Sequence, residues 1–114
     1  MNTITLYGIP NCDTVKKARA YLSAQNITYV FHDFKKQGVP ETLMDIALAQ
    51  IDWEKLLNRK GTTWRKLDAA VQAMVVDASS AKALMMREPS VIKRPVIQWT
   101  EARVSVGFTP SEWA

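Results

Sequence analysis

The stretch TITLYGIPNCDTVKKARAYLSAQ, residues 3–25, decides the fold. Residues 3–7 are short, β-branched and alternating, and Gly8 and Pro10 follow, which predicts a strand running into a tight loop. Residues 13–25 place Val15, Ala18, Tyr21 and Leu22 on one helical face, with Lys16, Lys17 and Arg19 elsewhere. Residues 28–33, TYVFHD, are again strand-like. The result is a β-loop-α-β unit whose two strands, separated by a helix, are expected to be parallel and joined by a right-handed crossover.

Outward from this unit, the middle of the chain reads as helical. Pro40 suits a first helical position, and Leu43, Ile46, Ala47 and Ile51 recur at helical spacing. Residues 52–57 suggest another short helix. The run Arg59-Lys60-Gly61-Thr62-Thr63 breaks the pattern, and Leu67, Ala70, Val71 and Met74 form a further stripe. Ser79 or Ser80 can cap one more helix, through Ala83, Leu84 and Arg87, which Pro89 stops. Residues 96–99 and 103–106 are strand-like and separated by Thr100-Glu101-Ala102, a length suited to a hairpin that Gly107 ends. The order predicts an α/β fold with a mixed four-stranded sheet. It is read as one domain over residues 1–114 with a helical insertion over residues 35–88.

The chain has 114 residues, enough for one domain that buries about two-thirds of its unfolded surface without staples. Apolar residues make up 47% and charged residues 23%, the balance of a globular protein. No apolar run exceeds four residues, so no membrane-spanning segment is expected. The start lacks the basic-then-apolar pattern of an export signal, and the one cysteine, Cys12, excludes an internal disulfide. Both lead to the expectation of a reducing, cytoplasmic setting. One cysteine and one histidine, His32, also rule out a zinc finger, and no metal site is expected. The net charge of +4 is mild, but Lys55, Arg59, Lys60, Arg65 and Lys66 cluster with no acid between residues 55 and 67, and Lys93-Arg94 precede Pro95. Such clusters attract phosphates, carboxylates or oxyanions. The excess is too small and too unpatterned for a nucleic-acid surface, so no direct nucleic-acid partner is expected.

Cys12 follows a strand and a Gly-x-Pro-Asn loop and stands at the start of a helix. Orphan amides and the positive helix end favour thiolate over thiol there, drawing the pKa below the roughly 8.5 of a free cysteine. Lys16, one turn on, can add positive charge. Most single cysteines are buried and inert, but the loop-to-helix position marks Cys12 as a catalytic nucleophile. Residues 92–96, IKRPV, are the second signal, because an X-Pro bond directly before a strand is a candidate cis peptide. A helix-start cysteine after the first strand and such a proline before a later one together describe a thioredoxin-like fold, in which the proline loop lies against the cysteine. Arg94 and Pro95 are then substrate-binding residues beside Cys12, and the Arg94 fork can hold an anion in bidentate fashion.

The segments TLYGIPNCDTVKKA (5–18), NRKGTTWRKL (58–67), VIKRPV (91–96) and VGFTPSEW (106–113) resemble the ArsC/Spx family of thioredoxin-like proteins, and more narrowly its YffB-type branch. The resemblance covers essentially the whole chain, in order, including the helical insertion. Arsenate reductases of the family use one cysteine and three arginines around the oxyanion. By resemblance, Cys12 matches the cysteine, Arg59 the arginine of a Leu-Leu-x-Arg-Lys segment (here LLNRK) and Arg94 the arginine of the Arg-Pro pair. The third arginine stands before Pro-Ser-Glu, where this chain has Thr109; Arg103, the nearest alternative, comes several residues earlier. An incomplete cationic pocket argues against arsenate as the substrate. Spx-type regulators bind RNA polymerase and sense redox state through Cys-x-x-Cys. Here Val15 replaces the second cysteine, although Val106-Gly107-Phe108 looks more like theirs.

Without a resolving cysteine, an oxidised Cys12 must be reduced by an outside thiol. Glutathione carries two carboxylates that Arg59 and Arg94 can bind. The resemblance therefore implies a glutathione-dependent thiol–disulfide reductase with no bound cofactor, glutathione as co-substrate and a disulfide or mixed disulfide as substrate. An RNA polymerase-binding regulator and an arsenate reductase are the alternatives. Asn11 and Asp13 flank Cys12 and are read as loop and helix-start residues, or as groups that orient the thiolate or the glutathione amine. His32 is read as a strand-end polar residue or a general base. The four tryptophans and five methionines fall mainly in apolar stripes and are read as core.

Overall fold

The alternation in TITLY produces strand β1, Ile4–Gly8, in a computed structural model that describes residues 3–113. Helix α1, Asp13–Ala24, follows the loop and buries Val15, Ala18 and Leu22 along one stripe. It closes in a left-handed turn at Asn26, φ 57°. The Asn26 amide donates to the Ser23 carbonyl at 3.1 Å and the Ile27 amide to the Leu22 carbonyl at 2.9 Å. Asparagine tolerates that backbone region, and the two bonds satisfy carbonyls that the helix leaves open. Strand β2, Tyr29–Asp33, then runs parallel to β1, with Leu6 opposite Phe31.

Strands β3, Val96–Gln98, and β4, Val104–Val106, form the antiparallel hairpin, and β3 pairs antiparallel with β1. The sheet order is β2-β1-β3-β4, the mixed four-stranded sheet of a thioredoxin-like α/β fold. Leu6 is in register with Phe31 on one side and Ile97 on the other, so this row shares one face, the face that α1 covers. Leu6, Val15, Leu22 and Ile97 are fully buried in one cluster, worth about 1.5–3 kcal/mol for each side chain. Trp99 and Trp113 complete the cluster, and Trp99 Nε1 donates to Ser105 Oγ at 2.8 Å.

The chain forms two units: one from the residues up to Gln37 and from Arg94 onward, the other Gly38–Lys93. A short helix α2, Phe34–Gln37, folds with the first unit. The Asp33 carboxylate starts it by accepting from the Lys35 and Lys36 amides at 2.9 and 3.4 Å. The second unit contains α3 (Glu41–Leu48), α4 (Trp53–Leu56), α5 (Thr62–Lys66), α6 (Ala69–Ala73) and α7 (Ala78–Arg87). Leu43, Met44, Leu56, Leu84 and Met85 are buried in it.

Some local details differ from the sequence reading. Pro40 is the N-cap of α3 rather than its first helical residue: its ψ of 128° is extended, and Glu41 opens the helix. Asp77, not Ser79 or Ser80, caps α7, because the helix opens at Ala78 and both serines lie within its first turn. Asp77 takes the Ser80 amide at 2.8 Å while Ser80 Oγ accepts the Asp77 amide at 3.1 Å. The stripe from Leu67 to Met74 is not one helix. The backbone is extended at Leu67 and Asp68, ψ 146° and 143°, and neither α5 nor α6 buries a residue. Met74 is 72% exposed, so it is not core, whereas Met44 and Met85 are. No described helix is long and apolar enough to cross a membrane.

Candidate active site

Cys12 is the N-cap of α1, with the extended backbone of that position, φ −142° and ψ 121°. Its carbonyl accepts the Lys16 amide at 2.9 Å, the first bond of the helix. An N-cap side chain sits at the open helix end, where the leading amides have no helical acceptor. The Cys12 side chain closes no capping bond of its own and stays half-buried. Burial alone pushes its thiol up. The Val15 amide, the Arg94 guanidinium through a hydrogen bond and its charge, and the Thr14 amide pull the other way and prevail, so Cys12 lies below the ordinary thiol pKa.

Arg94 reaches the sulfur from the loop before β3. The Arg94-Pro95 peptide is cis and Pro95 is buried. The Pro95 carbonyl accepts the Gly107 amide at 2.9 Å. Gly107 has φ 87°, a left-handed backbone that glycine adopts without strain. The end of β4 thereby fastens the proline loop. Thiolate and guanidinium side by side make a nucleophile with a cation next to it, suited to attack a sulfur while an anionic group is held.

Of the residues singled out from the sequence, Cys12 and Arg94 come together, and Pro95 follows Arg94 through the cis peptide. Lys16 meets Cys12 through its backbone, and its side chain is exposed. Asn11 and Asp13 are exposed on either side of Cys12. Arg59 belongs to the second unit, where its guanidinium lies 5.1 Å from the Trp53 ring and 3.5 Å from the Glu54 carboxylate. His32 packs against the Tyr7 and Phe34 rings at 4.8 and 6.0 Å, the setting of a sheet-face aromatic. Thr109 is exposed at the N-cap of the 3-10 turn Pro110–Glu112. The Trp99 amide donates to the Arg103 carbonyl, so Arg103 stands opposite Trp99. That is four residues along from Pro95, roughly 13 Å at about 3.3 Å per strand residue.

The Val15 and Thr14 amides are the helix-start donors expected from the position of Cys12, whereas sequence reasoning missed the Gly107 tie. Backbone donors carry no residue-type signal, but Gly107 between a strand and Phe108 marks a left-handed turn that only a pairing scheme can place. Among the described residues, no three His, Cys, Asp or Glu side chains are grouped to hold a metal ion.

Residues 7–114 match the model of the ArsC family. The solved structure of a YFFB protein superposes with a TM-score of 0.91 at 44% identity, over 97% of this chain and 96% of that one. A solution structure of an arsenate reductase-related protein from Brucella melitensis is 48% identical with a TM-score of 0.74, over 97% and 91%. The global transcriptional regulator Spx of Streptococcus mutans is 26% identical over 111 residues, 96% of this chain and 79% of that protein.

Proposed function

This chain belongs to the ArsC family, and from that premise we propose that it is a thiol–disulfide reductase with Cys12 as nucleophile and glutathione as the resolving thiol. The observation that carries this reading is a half-buried Cys12 sulfur at a helix N-terminus whose thiol the Arg94 guanidinium and the leading amides draw below its ordinary pKa. In the first step the Cys12 thiolate attacks one sulfur of a glutathione mixed disulfide. A bond forms between Cys12 and glutathione, the mixed disulfide breaks, and the substrate leaves as a thiolate that takes up a proton. In the second step a glutathione thiolate attacks the glutathione sulfur of that adduct. Oxidised glutathione leaves, and Cys12 regains its negative charge next to Arg94. Across the cycle one mixed disulfide and one reduced glutathione become the substrate thiol and oxidised glutathione, so the substrate sulfur is reduced and the sulfur of the entering glutathione is oxidised in its place.

Arg94 supplies a fork for a glutathione carboxylate as well as charge for the leaving Cys12 thiolate. Arg59 is retained as a glutathione-binding residue on the family resemblance. A cycle of this kind needs a pool of reduced thiol, so a cytoplasmic location is part of the proposal. The likeness to Spx supports a second reading, a regulator that binds RNA polymerase without turnover. Val15 stands where the second cysteine of a Cys-x-x-Cys switch would be, and it is fully buried, which weighs against the redox-switched form of that reading.

The test is glutathione-dependent reduction of a small mixed disulfide, followed by coupling oxidised glutathione to its reductase. Turnover that disappears in Cys12→Ser supports the reductase. Absence of turnover, together with capture of polymerase subunits by the purified protein, supports the regulator.

A further inference from the structure

Gly8 is the last residue of β1 and is buried. Its φ is not positive, so backbone freedom does not require a glycine there. Space does. A Cβ on Gly8 would stand 2.8 Å from Val15 Cγ2 and 3.3 Å from Val15 Cγ1. Val15 has little room to yield. It is fully buried, clustered with Leu6, Ala18 and Leu22, and as a β-branched residue in a helix it has one strongly preferred rotamer. The same residue carries the amide that acts most strongly against burial at the Cys12 sulfur. Side chain and amide of Val15 thus connect the end of β1 to the thiol.

We propose that Gly8 is a positioning residue for Cys12: by lacking a Cβ it lets Val15 seat against the end of β1, and that seating fixes the first turn of α1 beneath the sulfur. This rests on the reading of Cys12 as nucleophile and adds the contact that tunes it. Bringing a Cβ from 2.8 Å to ordinary contact at 3.4 Å requires a shift of about 0.6 Å. The interactions between the amides and the sulfur depend on distance and angle, so displacement of the turn weakens them.

The experiment measures the pH midpoint of Cys12 alkylation by iodoacetamide in the protein, in Gly8→Ala and in Gly8→Ala/Val15→Ala. The single variant is expected to raise the midpoint by about one pH unit, roughly tenfold less thiolate below the midpoint. The double variant, which removes both Val15 methyl groups from the clash, is expected to restore the midpoint. A purely structural role would lower the melting temperature and leave the midpoint in place. Gly8→Ala that folds and titrates like the unmodified protein overturns the proposal. If the single variant does not fold, a folded double variant with the original midpoint supports it. A double variant that is unfolded or still shifted upward overturns it. An unmodified protein that titrates like free cysteine sinks the nucleophile reading itself, an outcome distinct from failure of the Gly8 variants alone.

Discussion

Replacing Arg94 with methionine removes the charged side chain that acts on Cys12 and keeps most of the stem volume. A hydrogen bond to a charged group is worth about 1.5–3 kcal/mol. Cys12 and Arg94 are both half-buried, and solvent screening reduces this to about 1–1.5 kcal/mol. At about 1.36 kcal/mol per pH unit, the midpoint rises by about one unit. Burial, the largest single influence on the thiol, is then opposed only by the Val15 and Thr14 amides, so the thiol is expected back in the ordinary range. Alkylation rate against pH reads this directly, with circular dichroism to establish that the variant is folded. Arg94→Lys keeps a point charge and loses the fork. Its midpoint is expected between the other two, with a raised KM for glutathione. An Arg94→Met protein that keeps the original midpoint would refute the assignment of Arg94 to the thiolate.

The remaining predictions concern stability, substrate range and packing. Cys12 has a depressed folded-state pKa, so between its folded and unfolded values the unfolded chain holds a proton that the native state has lost, and stability rises with pH. This contribution is complete above the free-thiol value of about 8.5 and is lost as pH falls through the folded value. The melting temperature of the protein relative to Cys12→Ser is therefore expected to climb through that window; a constant difference would contradict the depressed pKa. Arsenate turnover with glutathione and glutaredoxin is expected to be negligible. Thr109→Arg is expected to raise it toward the hundredfold to thousandfold, about 2.7–4 kcal/mol, that one oxyanion donor supplies; robust turnover by the unmodified protein would overturn this. Met85 is fully buried in the second unit, and Met85→Ala is expected to cost about 2–5 kcal/mol, read as a lower urea midpoint with unchanged slope.

The strands and first helix were legible because their patterns are strong: alternation in TITLY and the stripe Val15, Ala18, Leu22 each have one reading. The helical unit was less so. Short helices such as α5 and α6 bury nothing, so their apolar residues carry no stripe, and an extended Leu67 divides what spacing alone joins. Capping of α7 by Asp77 depends on the helix opening at Ala78, which makes Ser80 the reciprocal partner of the cap, and residue types alone do not distinguish that register from one capped by a serine. At the site, Cys12 and Arg94-Pro95 were legible as residue types in a pattern. The helix-start amides were legible as a class from the position of Cys12, but the greater weight of the Val15 amide over that of Thr14 was not, because backbone donors carry no residue-type signal. Nor was the role of Gly8, which depends on how closely Val15 packs against it.

The central claim is that Cys12 cycles through a glutathione adduct. Intact-mass and peptide mass spectrometry after incubation with oxidised glutathione tests it most directly. One glutathionyl adduct is expected, mapped to Cys12 and removed by reduced glutathione with release of one equivalent of oxidised glutathione. A protein that forms no adduct, or whose adduct resists reduced glutathione, would contradict it.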